Sequence, residues 1–502
     1  MKLHVFGGIA VAGMALTSAI VWSATHASPP AVRELAKAPL PAEKSAQPAG
    51  AVSPEKPLLR DRSTFTAGET LMLEGRLGHA VLPSATESET YVFLDIKADA
   101  KKTASVDTPL QLAIVIDRSG SMRGKRLDNA IEAAKTAIAR LRAGDTVSVL
   151  AYDTRVEVIV PTTVVDQRSR ATIVRGLRGL RARGNTCISC AVEAGMRMLR
   201  QRPEAVSRLL LLSDGEATRG VKDLAGFNTI AERCRAMNIS ITSIGVDLDY
   251  NEQILAALAR RSNGRHYFAE SSVRLSSIFD QEMQSLTKTI AADGHLHVSL
   301  APGVVLDHVF DRSFQRTGAG ISVPLGSFTA GDNKTVLLRV RVPRGRDGER
   351  AVAQVAMSYT DLTKGEKAHC DGALVAQATT DPAQVSPLDG LVAMRISRSE
   401  TAEALEQANF LFRSGRGAEA RDLLDSKRKR LERRKRASRK SAPRSRGWDV
   451  DQDFEKQSLA LDAATGAFTK AEKAAAPGEA GQSAGGRAQI RHNQAAAVDL
   501  FE

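Results

Sequence analysis

Three short segments of this chain are dense in oxygen donors: Asp117-Arg118-Ser119-Gly120-Ser121-Met122, Gly184-Asn185-Thr186 and Leu211-Leu212-Ser213-Asp214-Gly215. Asp117 and Asp214 offer negative charge, and Ser119, Ser121 and Thr186 offer neutral hydroxyls. Such a set suits a hard divalent cation, because magnesium takes near-octahedral oxygen ligands, keeps several waters and is held through one or two carboxylates. Two carboxylates roughly balance its charge, and one coordination position is left over. A D-x-S-x-S string alone is a weak signal, since Asp and Ser also favour turns for their own backbone hydrogen bonds. A second candidate is Cys187-Ile188-Ser189-Cys190, directly after Thr186 at a helix N-terminus, where the helix dipole would lower the pKa of Cys187.

The elements that must position these residues are legible as short apolar runs alternating with amphipathic helices from Leu110 to about Thr289. Leu112–Ile116 reads as a buried strand, followed by Leu127, Ala130, Ile131, Ala134, Ile138 and Leu141 at helical spacing. Strands recur at Val147–Leu150, Leu209–Leu212 and Ile239–Ile244, with helices near 187–200, 224–237 and 251–261. This alternation is that of a doubly wound, mostly parallel α/β sheet. Such sheets bind ligands at the carboxyl ends of their strands, so the three donor loops are expected to meet at one edge.

On these residues the segment from about 110 to 290 resembles the von Willebrand factor type A family, whose metal-ion-dependent adhesion site carries the D-x-S-x-S pattern. The resemblance implies that Asp117, Ser119, Ser121, Thr186 and Asp214 bind Mg2+ or Mn2+. It also implies that an Asp or Glu carboxylate from a protein ligand takes the remaining position, directly or through water. The wider order of segments is similar to exported bacterial A-domain proteins and, in part, to the heavy chains of inter-alpha-trypsin inhibitors. The Asp-Pro-His-Phe end of those heavy chains is absent, since Asp381-Pro382 is followed by Ala383 and Gln384, so no covalent chemistry is carried over.

At 502 residues the chain is too long for one core, and 43% hydrophobic with 25% charged residues is an ordinary globular composition. Lys2 before the apolar run Val5–Trp22, with small residues at Thr25 and Ala27, reads as an export signal over 1–27. An uncleaved anchor helix is the alternative. Both place the remainder outside the cytoplasm: periplasmic, envelope-associated or secreted. Residues 28–60, rich in Pro, Ala, Ser and Lys, read as a disordered tether. A β-rich unit is expected over 61–108, the A domain over 109–289 and a β-sandwich-like domain over 290–376. A helical region follows over 388–475, with one hairpin of tetratricopeptide type that must pack on the sandwich or on a partner. The Gly-, Ala- and Gln-rich segment 476–502 reads as a disordered tail.

The net charge of +13 is local, because residues 427–446 carry twelve Lys or Arg against Glu432 alone and supply +11 of it. The main body therefore has no bias toward nucleic acid, and the basic stretch lacks the interleaved aromatics that stack on bases. It is either an accessory contact to an anionic envelope surface or a solvated helix face.

Enzyme readings fare poorly. A phosphatase of the haloacid dehalogenase type needs a second Asp two residues after the first, where Ser119 stands, and neither H-E-x-x-H nor a phosphate-binding G-x-x-x-x-G-K-[ST] loop is present. A thiol-redox role for Cys187 and Cys190 lacks a preceding Trp; buried packing, a static disulfide and redox tuning of the metal site are the other readings. An intracellular ATPase or chelatase partner domain conflicts with the export signal. His266 and Tyr267, and His295 with His297, read as packing residues, and Cys234 as core.

Overall fold

In the computed structural model, which describes residues 62–104, 108–199, 205–247, 250–318, 320–476 and 478–501, the chain opens with strands β1 (Thr64–Ala67), β2 (Leu71–Leu77), β3 (Val81–Pro83) and β4 (Ser88–Ala98). The expected export segment 1–27 and tether 28–60 lie outside the described residues. The A domain follows as β5 (Leu110–Asp117), α1 (Lys125–Arg140), β6 (Thr146–Tyr152), β7 (Val156–Val164), α2 (Gln167–Gly176), α3 (Ile188–Met198), β8 (Val206–Ser213), α4 (Leu224–Ala236), β9 (Ile239–Val246), α5 (Glu252–Arg261), β10 (His266–Ala269) and α6 (Ser272–Thr287). Then come β11 (Thr289–Leu300), β12 (Val305–Phe310), β13 (Gln315–Thr317), β14 (Gly320–Thr329), β15 (Asn333–Val342), β16 (Gly348–Asp361) and β17 (Glu366–Thr379), and finally helices α7 (Gly390–Arg413), α8 (Gly417–Ser441), α9 (Gly447–Ala474) and α10 (Ala484–Phe501).

The A domain is the expected doubly wound sheet, in the order β10-β9-β8-β5-β6-β7, with parallel pairing throughout except the β6–β7 hairpin. All eight residues of β5 are buried, which is why it reads as a continuous apolar run: helices cover both faces. One face packs Leu112, Ile114 and Ile116 against Ala130, Ala134 and Ile138 of α1, and the other packs Val115, Leu209 and Leu211 against α3 and α4. Strand order reverses at β5, between β6 and β8, and that reversal opens a crevice at the carboxyl edge.

The β-rich segments expected as two units are one. β4 pairs with β15 over ten residues, giving the sheet β1-β2-β4-β15-β12, and the second sheet runs β13-β14-β11-β16-β17-β3. Leu73, Leu94 and Ile96 share a core with Leu296, Val323, Leu338 and Val355, so the A domain is an insertion into a single sandwich. Alternation along a strand reports a buried face without naming what covers it, and so could not join 61–108 to 290–376.

The helices form a four-helix assembly, not an isolated hairpin. Its apolar faces, including Leu405, Phe412, Leu424, Phe454 and Leu461, continue onto Phe93 and Leu337 on the outer face of the first sheet. Arg395, fully buried, fastens the joint through Thr335 (2.7 Å) and Asp311 (2.8 Å). The expected disordered tail 476–502 is corrected as well: over 484–501 it is α10, with Ile490, Ala497 and Leu500 buried and Arg491 donating to the Tyr250 carbonyl at 2.8 Å. Its small side chains let it approach α7 closely, a gain that composition alone does not reveal.

The basic stretch is the second half of α8 and the turn after it. Lys427 and Arg434 pair with Glu400 (2.8 and 2.6 Å), Arg428 with Asp462 (2.7 Å), Arg439 with Asp451 (3.3 Å), and Arg446 with Glu74 of β2 (2.7 Å). Part of its charge is therefore internal fastening, while Lys429, Arg430, Arg433, Arg436 and Lys440 are exposed. Among the described residues no helix is long and apolar enough to cross a membrane.

Candidate metal centre

Asp117 ends β5 with its carboxylate buried, held from both sides. The Ser119 N–H donates to Oδ1 (2.8 Å), and the Ser213 hydroxyl at the end of β8 donates to Oδ2 (2.9 Å). The chain then turns so that Ser119 Oγ and Ser121 Oγ lie 2.9 Å apart, and Ser121 Oγ donates to Asp214 Oδ1 at 2.7 Å. A β-carbon at Gly215 would lie 3.5 Å from Ser121 Oγ and 3.7 Å from Thr186 Oγ1, so both hydroxyls border one small space beside Asp214. All five residues named from the sequence thus converge at the reversal point of the sheet.

The loop carrying Thr186 is tied down by its backbone. Gly120 N–H donates to Gly184 O (3.1 Å), Arg183 N–H to Arg118 O (2.7 Å), and Thr218 N–H to Thr186 O (2.9 Å), while Thr186 N–H donates to Thr218 Oγ1 (2.9 Å). Gly184 has φ +74°, and a β-carbon there would press on Thr154 Oγ1 at 2.9 Å, so glycine is required on both counts. Arg118 is buried against Asp153 (2.9 Å) and Glu157 (2.7 Å), which turns it away from the oxygen cluster.

Cys187 and Cys190 are joined in a disulfide across the first turn of α3, so neither presents a thiolate. Gly220, at φ +70°, lies so close that a β-carbon would meet Cys187 Sγ at 2.7 Å, and Ser189 Oγ accepts from Val221 N–H at 3.0 Å. The disulfide is thereby wedged under the loop that follows Asp214. Cys234 is core, its thiol pushed up to about 12 by burial. His266 is packed as expected, between Ser243 Oγ (2.9 Å) and Tyr250. His295 has a carboxylate at hand that the sequence reading overlooked, Asp293 at 3.0 Å, yet no three-residue cluster of His, Cys, Asp or Glu suited to a metal occurs among the described residues.

Electrostatics favour a cation. Burial, with the Asp214 charge adding to it, pushes the Asp117 carboxyl up to about 6 against the lowering hydrogen bond from Ser119, and burial also raises Asp214. Two carboxylates raised by burial, only Asp214 of them with a cationic side chain at hand, together with three hydroxyls and an exposed face at Ser121, fit a hydrated magnesium or manganese ion. Two groups escaped the sequence reading. Arg126 Nη1 reaches Asp214 Oδ2 (3.2 Å) and its Nη2 reaches Asp247 Oδ2 (2.5 Å). Their signal was available, because Arg126 starts α1 and Asp247 follows β9 at the same edge.

Comparison with known proteins agrees with this fold. The model of the von Willebrand factor type A domain matches residues 111–281. An uncharacterised protein of Synechocystis is 27% identical over 270 residues, covering 51% of this chain and 63% of that one. Mouse inter-alpha-trypsin inhibitor heavy chain H2 is 27% identical over 194 residues, covering 36% of this chain and 20% of that one. The chain thus spans less than two thirds of the length of these relatives. Among solved structures, a von Willebrand factor type A protein from Catenulispora acidiphila superposes with a TM-score of 0.61 at 20% identity, covering 74% of this chain and 88% of that one. The ArnB paralog VWA2 from Sulfolobus acidocaldarius gives 0.51 at 16% identity, over 78% and 98%. The likeness in fold extends past the matched segment, and residues 111–281 of this chain are a von Willebrand factor type A domain.

Proposed function

We propose that this chain is an exported protein-binding module whose A domain holds Mg2+ or Mn2+ through Asp117, Ser119, Ser121, Thr186 and Asp214. The convergence of five hard oxygen donors from three loops, around two buried carboxylates, carries the reading. The ion would act as a Lewis-acidic anchor whose remaining position takes an Asp or Glu carboxylate of a protein partner. Asp117 and Asp214 supply charge, the hydroxyls supply neutral donors, and Thr186 sits where a shift of its tied loop can follow partner engagement. Binding, not catalysis, is the role that a charge-balanced site open to solvent at Ser121 supports. The Cys187–Cys190 disulfide suits the oxidising setting that lies outside the cytoplasm.

The test is calorimetric titration of the chain with Mg2+ and Mn2+, followed by capture of envelope proteins with and without chelator. Wild type should bind in the micromolar to millimolar range. Heat of binding that survives in the Asp117→Ala/Asp214→Ala variant would show the site to be misassigned. Capture that is unchanged by Thr186→Ala or by chelator would remove the adhesion reading. The exposed cations of α8 are a proposed accessory contact to anionic lipid or polymer, each contributing on the order of 1 kcal/mol near a charged surface. Replacing Lys429, Arg430, Arg433, Arg436 and Lys440 by Gln should then lower cosedimentation with anionic vesicles at low salt.

A further inference from the structure

At the other edge of the A-domain sheet, about 20 Å along β8 from Asp214 at the rise of an extended strand, lies a cavity of quite different character, with about 700 Å³ of empty space counting its open mouth. Three parts of the fold build it: Arg208, Arg260 and Arg265 of the A domain, Arg312 and Lys334 of the sandwich, and Val498 of α10. Five cations thus surround one space.

Most of them have protein partners. Arg265 bonds Ser285 Oγ (3.1 Å) and Asp332 (3.3 Å), Arg312 Nε donates to Thr335 O (3.2 Å), and Lys334 Nζ donates to Leu325 O (2.7 Å) and Ser327 O (2.8 Å). Arg260 lies 3.8 Å from Glu406. The two acids on the wall are already engaged, Asp332 by Arg265 and by Thr329 N–H, and Asp311 by Arg395 and Ser399.

Arg208 differs. The residue is only 9% exposed, its Nε is buried with no hydrogen-bond partner, and among the described residues it makes no ion pair. Glu282 supplies the largest compensating charge, but that carboxylate already accepts from Thr242 (2.7 Å) and Tyr267 (2.7 Å). A guanidinium largely withdrawn from water, its Nε left without an acceptor, is costly, and four further cations on the same wall add to the cost. An anion relieves both at once. Lysine and arginine donors converging from several directions suit a multiply charged tetrahedral oxyanion, which accepts on every face, better than a planar carboxylate, which accepts along one edge.

We propose that this cavity binds the phosphate group of a small molecule, with Arg208 as the residue that pairs with its charge. Because the walls come from the A domain, the sandwich and α10, occupancy would also hold these three parts together. The site is independent of the metal centre and of any reading of it.

The experiment is calorimetric titration of the full chain in divalent-free chloride buffer with inorganic phosphate, pyrophosphate and sulfate at matched ionic strength. Saturable binding of phosphate or pyrophosphate in preference to sulfate is expected, weakened about tenfold or more in Arg208→Gln, as for loss of a charge-assisted hydrogen bond. Arg312→Gln should weaken binding in the same sense, so a poorly folded Arg208 variant does not end the test. Arg430→Gln, on the exposed face of α8, should leave the affinity unchanged. Three results overturn the proposal: no saturable binding of either phosphate probe, sulfate bound as tightly as both, or wild-type affinity in both Arg208→Gln and Arg312→Gln.

Discussion

The two edges of the A-domain sheet bury charge of opposite sign and stabilise it by different means. At the carboxyl edge, Asp117 is held by Ser119 of its own loop and by Ser213 of the next strand, and Asp214 by Ser121, so the negative cluster is assembled within the A domain alone and faces solvent at Ser121. At the amino edge, Arg208 meets cations that arrive from the sandwich, with α10 closing the wall. A local site can load and release an ion without disturbing the fold. A site assembled across three parts ties binding to the packing of those parts, and its occupancy is expected to register as stability.

That contrast can be broken by exchanging lesions. The largest effect is expected from Asp117→Ala/Asp214→Ala, which should abolish Mg2+ binding in calorimetry and leave phosphate binding intact, whereas Arg208→Gln should do the reverse. If either lesion removes both activities, the edges are not independent. Next in size is Arg395→Ala, which strips Asp311 of its buried partner on the wall of the cationic cavity. Chemical denaturation should show a loss on the order of 3 kcal/mol, because a buried carboxylate is left without its counter-charge.

A third prediction concerns the strand pair β9–β10. His266 is buried, and burial lowers its pKa to about 4, while in the unfolded chain it titrates near 6.5. Between these values the unfolded state binds more protons, so stability attributable to His266 is full above about pH 6.5 and is lost as the pH falls toward 4, by up to about 3 kcal/mol. Denaturant midpoints measured across this window should fall less steeply in His266→Gln than in wild type, and parallel curves would refute the assignment. A smaller effect is expected at Arg126, whose guanidinium lies against Asp214. Arg126→Ala should tighten Mg2+ binding several-fold, since a fixed positive charge beside the site opposes a second one. The smallest is expected from Cys187→Ser/Cys190→Ser, which should weaken Mg2+ binding by less than about tenfold through the Thr186 loop and should not alter phosphate binding.

The A-domain sheet and the meeting of its three oxygen-rich loops at one edge were readable from local pattern. Asp117, Ser119, Ser121, Thr186 and Asp214 each sit at a strand end or helix start, and strand periodicity places such positions at one edge of a doubly wound sheet. Local pattern suffices there because each hydrogen bond of the cluster joins residues whose loops the sheet order alone brings together. Everything else waited on long-range packing. Whether 62–104 and 289–379 make one sandwich depended on β4 finding β15, a pairing between runs that alternate equally well alone. Whether 484–501 is ordered depended on α7 and the A domain offering a surface for small side chains. How much of the α8 charge is internal depended on acids as distant as Glu74, 372 residues from Arg446 in the chain. The cationic cavity was invisible for the same reason: a periodic pattern shows that a side chain is buried, and only the packing of distant segments shows beside which charges.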